Sequence, residues 1–268
     1  MSGHAVDPTA VPLPNAATRL PFGGLLALAC AGFITILTEA LPAGLLSPMS
    51  DDLGVSRALV GQLVTIYALG SLVAALPMTA LTRRWPRRPL MLTAIAGFVV
   101  VNTITAMTHH YGLMLVARFC AGISAGLLWS LVAGYASRMV VPQLQGRAIA
   151  VAMVGTPLAL SLGIPAGTLL GQTIGWRWGM AIVAGLAVIT ALLIRFLAPA
   201  TPAEADASPL RELNALRSRQ VWLTLGIAGI GFGGIFCVYT YLAATLIEVT
   251  HASDFMIPVV MAVFGLGT

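Results

Sequence analysis

The feature that most constrains this chain is the length of its apolar runs, at roughly 20–47, 58–81, 89–108, 112–136, 148–173, 178–196 and 221–248, with an eighth beginning near Phe255. A bilayer core about 30 Å thick is crossed by about 20 apolar residues of helix. Backbone at that depth must satisfy its own hydrogen bonds, which leaves helices or closed barrels. These runs are too long and too continuously apolar for strands, so they predict spanning helices. Only 9% of the 268 residues are charged, against about a quarter in soluble domains, while 58% are hydrophobic. The fold class expected is all-α, a polytopic membrane protein. Arg19 and the Leu28-Ala29-Cys30 triplet give the first run some look of a signal peptide. An h-region has about 7 to 15 residues, however, and this run continues well past Cys30.

All 14 basic residues are arginine. Without lysine there is no Walker A lysine, no Schiff-base lysine and no lysine nucleophile, so the chain carries no ATPase site of its own. The net charge of +5 does not point to nucleic acid, because the arginines lie scattered between apolar runs and form no basic stripe. Topology accounts for them better. Arg83, Arg84, Arg87 and Arg88 follow span two, Arg138 and Arg147 flank the loop after span four, and Arg195, Arg211, Arg217 and Arg219 surround the connection after span six. The opposite loops hold only Arg57 and Arg177. The positive-inside bias therefore predicts a cytoplasmic N-terminus, with Asp51-Asp52, His109-His110, Gly175-Trp176-Arg177 and the 251–254 loop outside. Trp85 and Trp222 then fall at the inner boundary and Trp176 and Trp178 at the outer one, where amphipathic rings favour the headgroup level. Trp129, inside span four, is the exception.

Cys30, Cys120 and Cys237 each sit within an apolar run without paired spacing, so neither a disulfide framework nor a metal site is indicated, and no cofactor is expected. The connection 197–220 opens on alanine, proline and acidic residues and reads as a flexible linker. Leu210, Leu213 and Leu216, with Arg211 and Glu212 among them, suit a short amphipathic helix on the membrane surface. The division expected is a tail at 1–19, a six-helix bundle at 20–196, the linker at 197–220 and the start of a second bundle at 221–268.

Span five places Gly155, Ala159, Gly163, Gly167 and Gly171 four residues apart, interrupted by Pro157 and Pro165; span four does likewise with Arg118, Gly122, Gly126, Ser130 and Gly134. Small residues at this spacing let helices approach closely in lipid. These segments also resemble a known family. Thr-Arg-Arg-Trp-Pro-Arg-Arg-Pro at 82–89 resembles the basic loop between helices two and three of the major facilitator superfamily. Arg118-Phe-Cys-Ala-Gly122 is similar to its fourth-helix arginine motif. Gly163-Ile-Pro165-Ala-Gly167-Thr168 followed by Gly175-Trp-Arg-Trp178 is similar to its fifth-helix antiporter motif. Thr38-Glu39, Gly44-Leu-Leu and Asp52-Leu-Gly-Val-Ser56 resemble its drug and sugar efflux branch, which includes chloramphenicol and arabinose exporters. Thr79 and Arg83 stand where the family's basic loop usually has glycine and aspartate, and Pro86 replaces a second glycine. Arg87 and Arg88 match and are the residues expected to anchor a cytoplasmic gate.

The resemblance implies twelve helices in two bundles, so a major facilitator-like six-helix bundle plus a truncated second bundle is expected, with helix seven and part of helix eight packed loosely. Gly155, Gly163, Pro165, Gly167 and Gly171 form the expected packing motif; in the family this stripe faces the eighth helix, so partial lipid exposure is expected. It also implies efflux of a drug or sugar in a cell inner membrane, with the small-molecule substrate, protons and the lipid bilayer as partners and a monomeric state.

Glu39 and Arg118 are the charges placed well inside spans. Glu39 lies about 12 Å, and Arg118 about 9 Å, below the outer end at 1.5 Å per residue. Such charges cost about 2.5–3.5 kcal/mol near a helix centre and are tolerated when paired in a polar cavity. They are expected to pair, with Glu39 binding the exchanged proton; the resembled antiporters use an acidic residue in helix one and the fourth-helix arginine in coupling. The same depth count nominates Tyr67, Asn102 and Tyr239 as cavity residues.

Two other classes compete. Gly122-Ile-Ser124-Ala-Gly126 satisfies a nucleophile-elbow pattern, but that motif needs a strand-to-helix turn and a histidine base, and the four histidines lie in the tail or outer loops. No catalytic residues, and no enzyme, are expected. A seven-helix receptor or sensor leaves the fifth-span glycines and the long linker unexplained. A gradient-driven carrier absorbs most features, as an exporter or as an importer of similar fold.

Overall fold

The computed structural model describes residues 19–82, 85–200, 217–253 and 255–267, apart from the side chains at 76, 79 and 80. The tail at 1–18, Arg83, Arg84, the surface helix suggested around Leu210 to Leu216, and Asp254 lie outside the described residues, as does the side chain of Thr79. Seven helices among the described residues are long and apolar enough to cross a membrane. The spans are Phe22–Gly44, Arg57–Thr82, Arg87–Met107, Tyr111–Arg138, Pro142–Thr173, Trp176–Leu197 and Arg219–Glu248. A shorter apolar helix, Met256–Leu266, follows.

Span one is the centre of the bundle. It touches spans two to seven, and 78% of its most apolar window is buried, against none of the corresponding window of span seven. Its sequence explains the position, because Gly23, Gly24, Ala27, Ala29, Ala31, Gly32 and Ala40 leave room for neighbouring backbones on several sides. Around it, span two lies against span four, span three against spans four and six, and span five against span one.

Span one ends sooner than hydropathy suggests. Pro42 lies in its last turn, Leu45 leaves the helical conformation, and a separate short helix, Leu46–Leu53, follows. That helix closes on Gly54, whose φ of +64° is a left-handed cap that glycine adopts without strain. Span five is interrupted too. Its turn at Ala159–Gly163 is π-helical, with the N–H of Ile164 reaching back five residues to Ala159 O. Pro165 cannot donate to the Ser161 carbonyl, and a wide turn just before a missing donor is a usual way to absorb the mismatch.

The glycine stripes are contact surfaces, and the partner of one differs from expectation. In span four a methyl group on Gly122 would strike backbone of span two at Ser71 N (2.9 Å), and one on Gly126 would reach Ser71 O at 2.6 Å. In span five a methyl group on Gly155 would overlap the Ala29 carbonyl and come within 2.8 Å of Phe33 N, one on Gly163 would strike the Phe33 ring, one on Gly167 Leu41 and one on Gly171 Leu45. The fifth-span stripe therefore faces span one, not the eighth helix, and packs against it instead of standing open to lipid. The spacing shows that some backbone comes close; the central position of span one decides which. Buried Pro165 opens the last helical piece of span five, Ile164–Thr173. The helix Met256–Leu266 lands on the π turn, where Gly265 meets the Leu160 carbonyl and Ser161 N.

This packing separates two substitutions of the same chemistry. Gly155→Ala drives a methyl group into the span-one backbone and is expected to destabilise by about 1–3 kcal/mol, the range for overpacking a tight contact. Gly134→Ala meets nothing within 4 Å. It is expected to be neutral or to stabilise by up to about 1 kcal/mol through helix propensity. Thermal melting of the detergent-purified variants compares them directly.

Candidate functional site

The site is built around a missing hydrogen bond. In a helix the carbonyl of residue 38 accepts the N–H of residue 42. Residue 42 is proline and has none, so the Thr38 carbonyl is orphaned in the interior of a membrane helix, where an unmet polar group is costly. Arg118 of span four supplies the donor: its Nη1 bonds Thr38 O, and its Nη2 lies 3.4 Å from Met180 Sδ of span six. The guanidinium is fully buried. Asn102 of span three completes the cluster by donating from Nδ2 to Thr38 Oγ1 at 2.9 Å. One turn nearer the N-terminus, Tyr67 of span two donates its hydroxyl to Thr35 O at 3.2 Å. Four spans thus converge on the turn before the kink.

Glu39 is the next residue, rotated about 100° round the helix from Thr38. It is half-buried and lines a cavity of about 770 Å³ between the six-span bundle and span seven. The expected ion pair is not formed. Arg118 and Glu39 reach span one at the same level, but Arg118 is committed to the kink carbonyl on one side while the Glu39 carboxylate faces the cavity on another. The counting of residues from a span end fixes depth and leaves direction round the helix open.

The same limit applies to the other nominated residues. Tyr67 and Asn102 are buried in the packing behind the cavity wall. Tyr239 is buried against the terminal helix, its ring 5.4 Å from that of Phe264. The wall itself is made by neighbours of these residues: Ile36, Val64, Thr65 and Ala68 from spans one and two, Trp129 from span four, Met153 and Thr156 from span five, and Phe232, Phe236, Cys237, Thr240 and Tyr241 from span seven. Trp129 carried a readable signal, being the tryptophan that stands away from either membrane boundary. The span-seven aromatics carried none.

One end of the molecule is tied shut. Arg177, at the start of span six, bonds Asp52 Oδ2 at 2.7 Å, Thr108 O at 2.6 Å and Ala106 O at 3.1 Å, and stacks on Trp176. Trp176 is buried and donates to Asp52, so it is part of this knot and not a headgroup anchor. Arg57 pairs with Glu248, joining the start of span two to the end of span seven, and Tyr241 closes on Gly61 beside them. The first half of span seven leaves the bundle, so that nearly all of 219–235 is uncovered. That uncovered half belongs to the end of the bundle that carries Arg87, Arg88, Arg138 and Arg147. Arg87 is buried there at the start of span three, and Arg88 is half-buried.

A helical bundle with a central span that carries Pro42 in its last turn, an arginine tied to the Thr38 carbonyl and a cavity shared with a seventh span has recognisable relatives. The profile of the Major Facilitator Superfamily matches residues 28–268. The chain belongs to that superfamily. It is 33% identical to the inner membrane transport protein YdhP of Escherichia coli K12 over 243 residues, covering 91% of this chain and 62% of that protein. It is 31% identical to a chloramphenicol efflux pump of Mycobacterium tuberculosis over 255 residues, 94% of this chain and 60% of the pump. A chloramphenicol resistance protein of Streptomyces lividans is 32% identical over 91% of this chain and 63% of its own length. The chain thus spans somewhat over three fifths of these relatives. Among solved structures, a bacterial homologue of the human lysosomal transporter Spinster, inward-facing and unoccupied, superposes with a TM-score of 0.74 at 17% identity over 94% of this chain and 60% of that one. A D-xylose–proton symporter gives 0.68 at 16% identity over 92% and 66%. At those identities the likeness is one of fold.

Proposed function

We propose that the protein is a proton-coupled secondary transporter that exports a small organic molecule by alternating access across a bacterial inner membrane. The observation that carries this reading is Glu39: a carboxylate inside a spanning helix, on the wall of a cavity, with no hydrogen bond or ion pair to any described residue. A charge at that depth is rare outside ion pathways and proton relays. Its neighbour Thr38 is fixed by Arg118, so the carboxylate is presented to the cavity by a rigid turn.

In this account 20–196 is the N-terminal bundle, 197–220 the linker, and 221–268 the first part of the second bundle, with the tail at 1–19 and the basic loops in the cytoplasm. The cavity then opens inward, and the Arg177–Asp52 and Arg57–Glu248 ties close the outer side. Arg87 and Arg88 sit at the inner mouth, where they anchor the gate that closes when the cavity turns outward. Gly155, Gly163, Pro165, Gly167 and Gly171 give span five a firm seat on span one. Tyr67, Asn102 and Tyr239 support the cavity wall from behind. The protein works as a monomer surrounded by lipid.

Efflux is favoured over uptake by the relatives named as a chloramphenicol efflux pump and as a chloramphenicol resistance protein. The test is accumulation of labelled chloramphenicol in an efflux-deficient bacterial host expressing the protein. Expression is expected to lower accumulation, and a protonophore to restore it. A rise in accumulation on expression would make the protein an importer, and a protonophore-insensitive effect would remove proton coupling.

A further inference from the structure

We propose that one water molecule binds in the polar cluster behind the cavity wall, bridging Arg118 Nε to Asn102 Oδ1, so that Asn102 positions the guanidinium.

The two atoms are unmet groups of opposite kind. Arg118 Nε is a donor and Asn102 Oδ1 an acceptor, and each is buried with no hydrogen-bond partner among the described residues. Both side chains are completely enclosed by the bundle. Both also end on one residue: Arg118 Nη1 bonds the Thr38 carbonyl, and Asn102 Nδ2 bonds Thr38 Oγ1. The unmet atoms therefore belong to side chains from spans four and three that converge on a single turn of span one. Turning the Asn102 amide over would exchange its oxygen and nitrogen and still leave one of them unmet.

The chemistry of the pair selects the ligand. A buried polar atom without a partner is costly, and most so on a charged group. Arg118 is that case: it has no ion pair among the described residues, one oxygen acceptor at Thr38, and the weakly accepting sulfur of Met180. An anion would set its charge against the Asn102 oxygen, and a cation would set its charge against the guanidinium. Water is neutral, accepts from Nε–H and donates to Oδ1, and so meets both groups at once. Buried waters ordinarily bond about two to four polar groups that the protein leaves unmet. The consequence is orientation. With its Nη1 on Thr38 and its Nε held through the water to Asn102, the guanidinium is gripped at two points and stays on the Thr38 side of span one, away from Glu39. Asn102 does not line the cavity, so it acts on the site through Arg118.

The probe is water itself, read by X-ray radiolytic footprinting of the detergent-purified protein, in which hydroxyl radicals formed from a bound water oxidise the methionine beside it. Met180, whose Sδ lies 3.4 Å from Arg118 Nη2, is that methionine. Met91 is equally buried but sits in the apolar core, and serves as the dry control; exposed Met107 reports bulk water. In the wild type Met180 is expected to be oxidised at about a tenth of the Met107 rate or faster, and Met91 about tenfold more slowly than Met180. Asn102→Leu removes the acceptor and is expected to lower Met180 oxidation about fivefold or more, leaving Met91 and Met107 as they are. If that variant does not elute as a monodisperse species, Asn102→Val replaces it with the same expectation, and the wild-type comparison of Met180 with Met91 stands by itself. Met180 as silent as Met91 in the wild type, or oxidation of Met180 that is indifferent to the loss of the Asn102 amide, overturns the proposal.

Discussion

Glu39→Gln is expected to abolish export against a concentration gradient while leaving folding and downhill exchange intact. Glutamine matches the carboxyl in size and can hydrogen-bond like the protonated acid, but it cannot release a proton. The side chain lies on the cavity wall without a protein partner, so its replacement breaks no contact on which the bundle depends. What is lost is the alternation between charged and neutral forms that lets a proton gradient favour one direction of the cycle. A variant that cannot alternate equilibrates its substrate and no longer concentrates it. In proteoliposomes with an imposed pH gradient, the protein with its second bundle complete is expected to drive labelled substrate uphill, and the Glu39→Gln variant of that protein to drive none. Counterflow between equal pH values is expected within about twofold of wild type. Loss of counterflow as well, in a variant that still melts cooperatively, would make Glu39 a substrate-binding residue without a coupling role.

The second large effect concerns the kink. Arg118→Met removes the donor from the Thr38 carbonyl, and Pro42 offers none, so the variant is expected to lose about 1.5–3 kcal/mol, the worth of a hydrogen bond to a charged group. Pro42→Ala restores an N–H to residue 42 and lets Thr38 O close its ordinary helical bond. It then leaves the buried guanidinium without its acceptor, so this single change is also expected to destabilise. The two defects cancel in the double variant, where a normal helix turn meets a neutral side chain. Arg118→Met/Pro42→Ala is accordingly expected to be more stable than either single variant, a coupling that a double-mutant cycle reads directly. Simple addition of the two losses, measured by thermal melting in detergent, would show that Arg118 does not serve the kink.

The residues that were legible in the sequence are those whose role follows from distance along the chain. Apolar length marked the seven spans, and missed the early end of span one because Pro42 and Leu45 break a helix without breaking the hydropathy of the run. Small-residue spacing marked the faces of spans four and five that approach another backbone. It could not say that the fifth-span glycines meet Ala29, Phe33, Leu41 and Leu45, because the identity of the neighbour depends on which span becomes central. Depth placed Arg118 level with Glu39. Direction round the helix was hidden, and it is what separates Glu39, on the cavity, from Asn102 and Tyr67, which lie off the cavity wall and donate to Thr38 and Thr35. The link between Pro42 and Arg118 could have been read in principle, since a proline at residue 42 orphans the carbonyl of residue 38 and a buried donor on another span has to meet it.

The account rests on a carboxylate that exchanges a proton for the transported molecule. The most direct measurement is proton release on binding, followed with a pH-indicator dye in weakly buffered detergent solution as chloramphenicol is added to purified protein. Wild-type protein is expected to release protons in proportion to the ligand bound, and Glu39→Gln to release none at ligand concentrations that restore its occupancy. Binding to the wild type without proton release, or equal release from Glu39→Gln, would contradict the account.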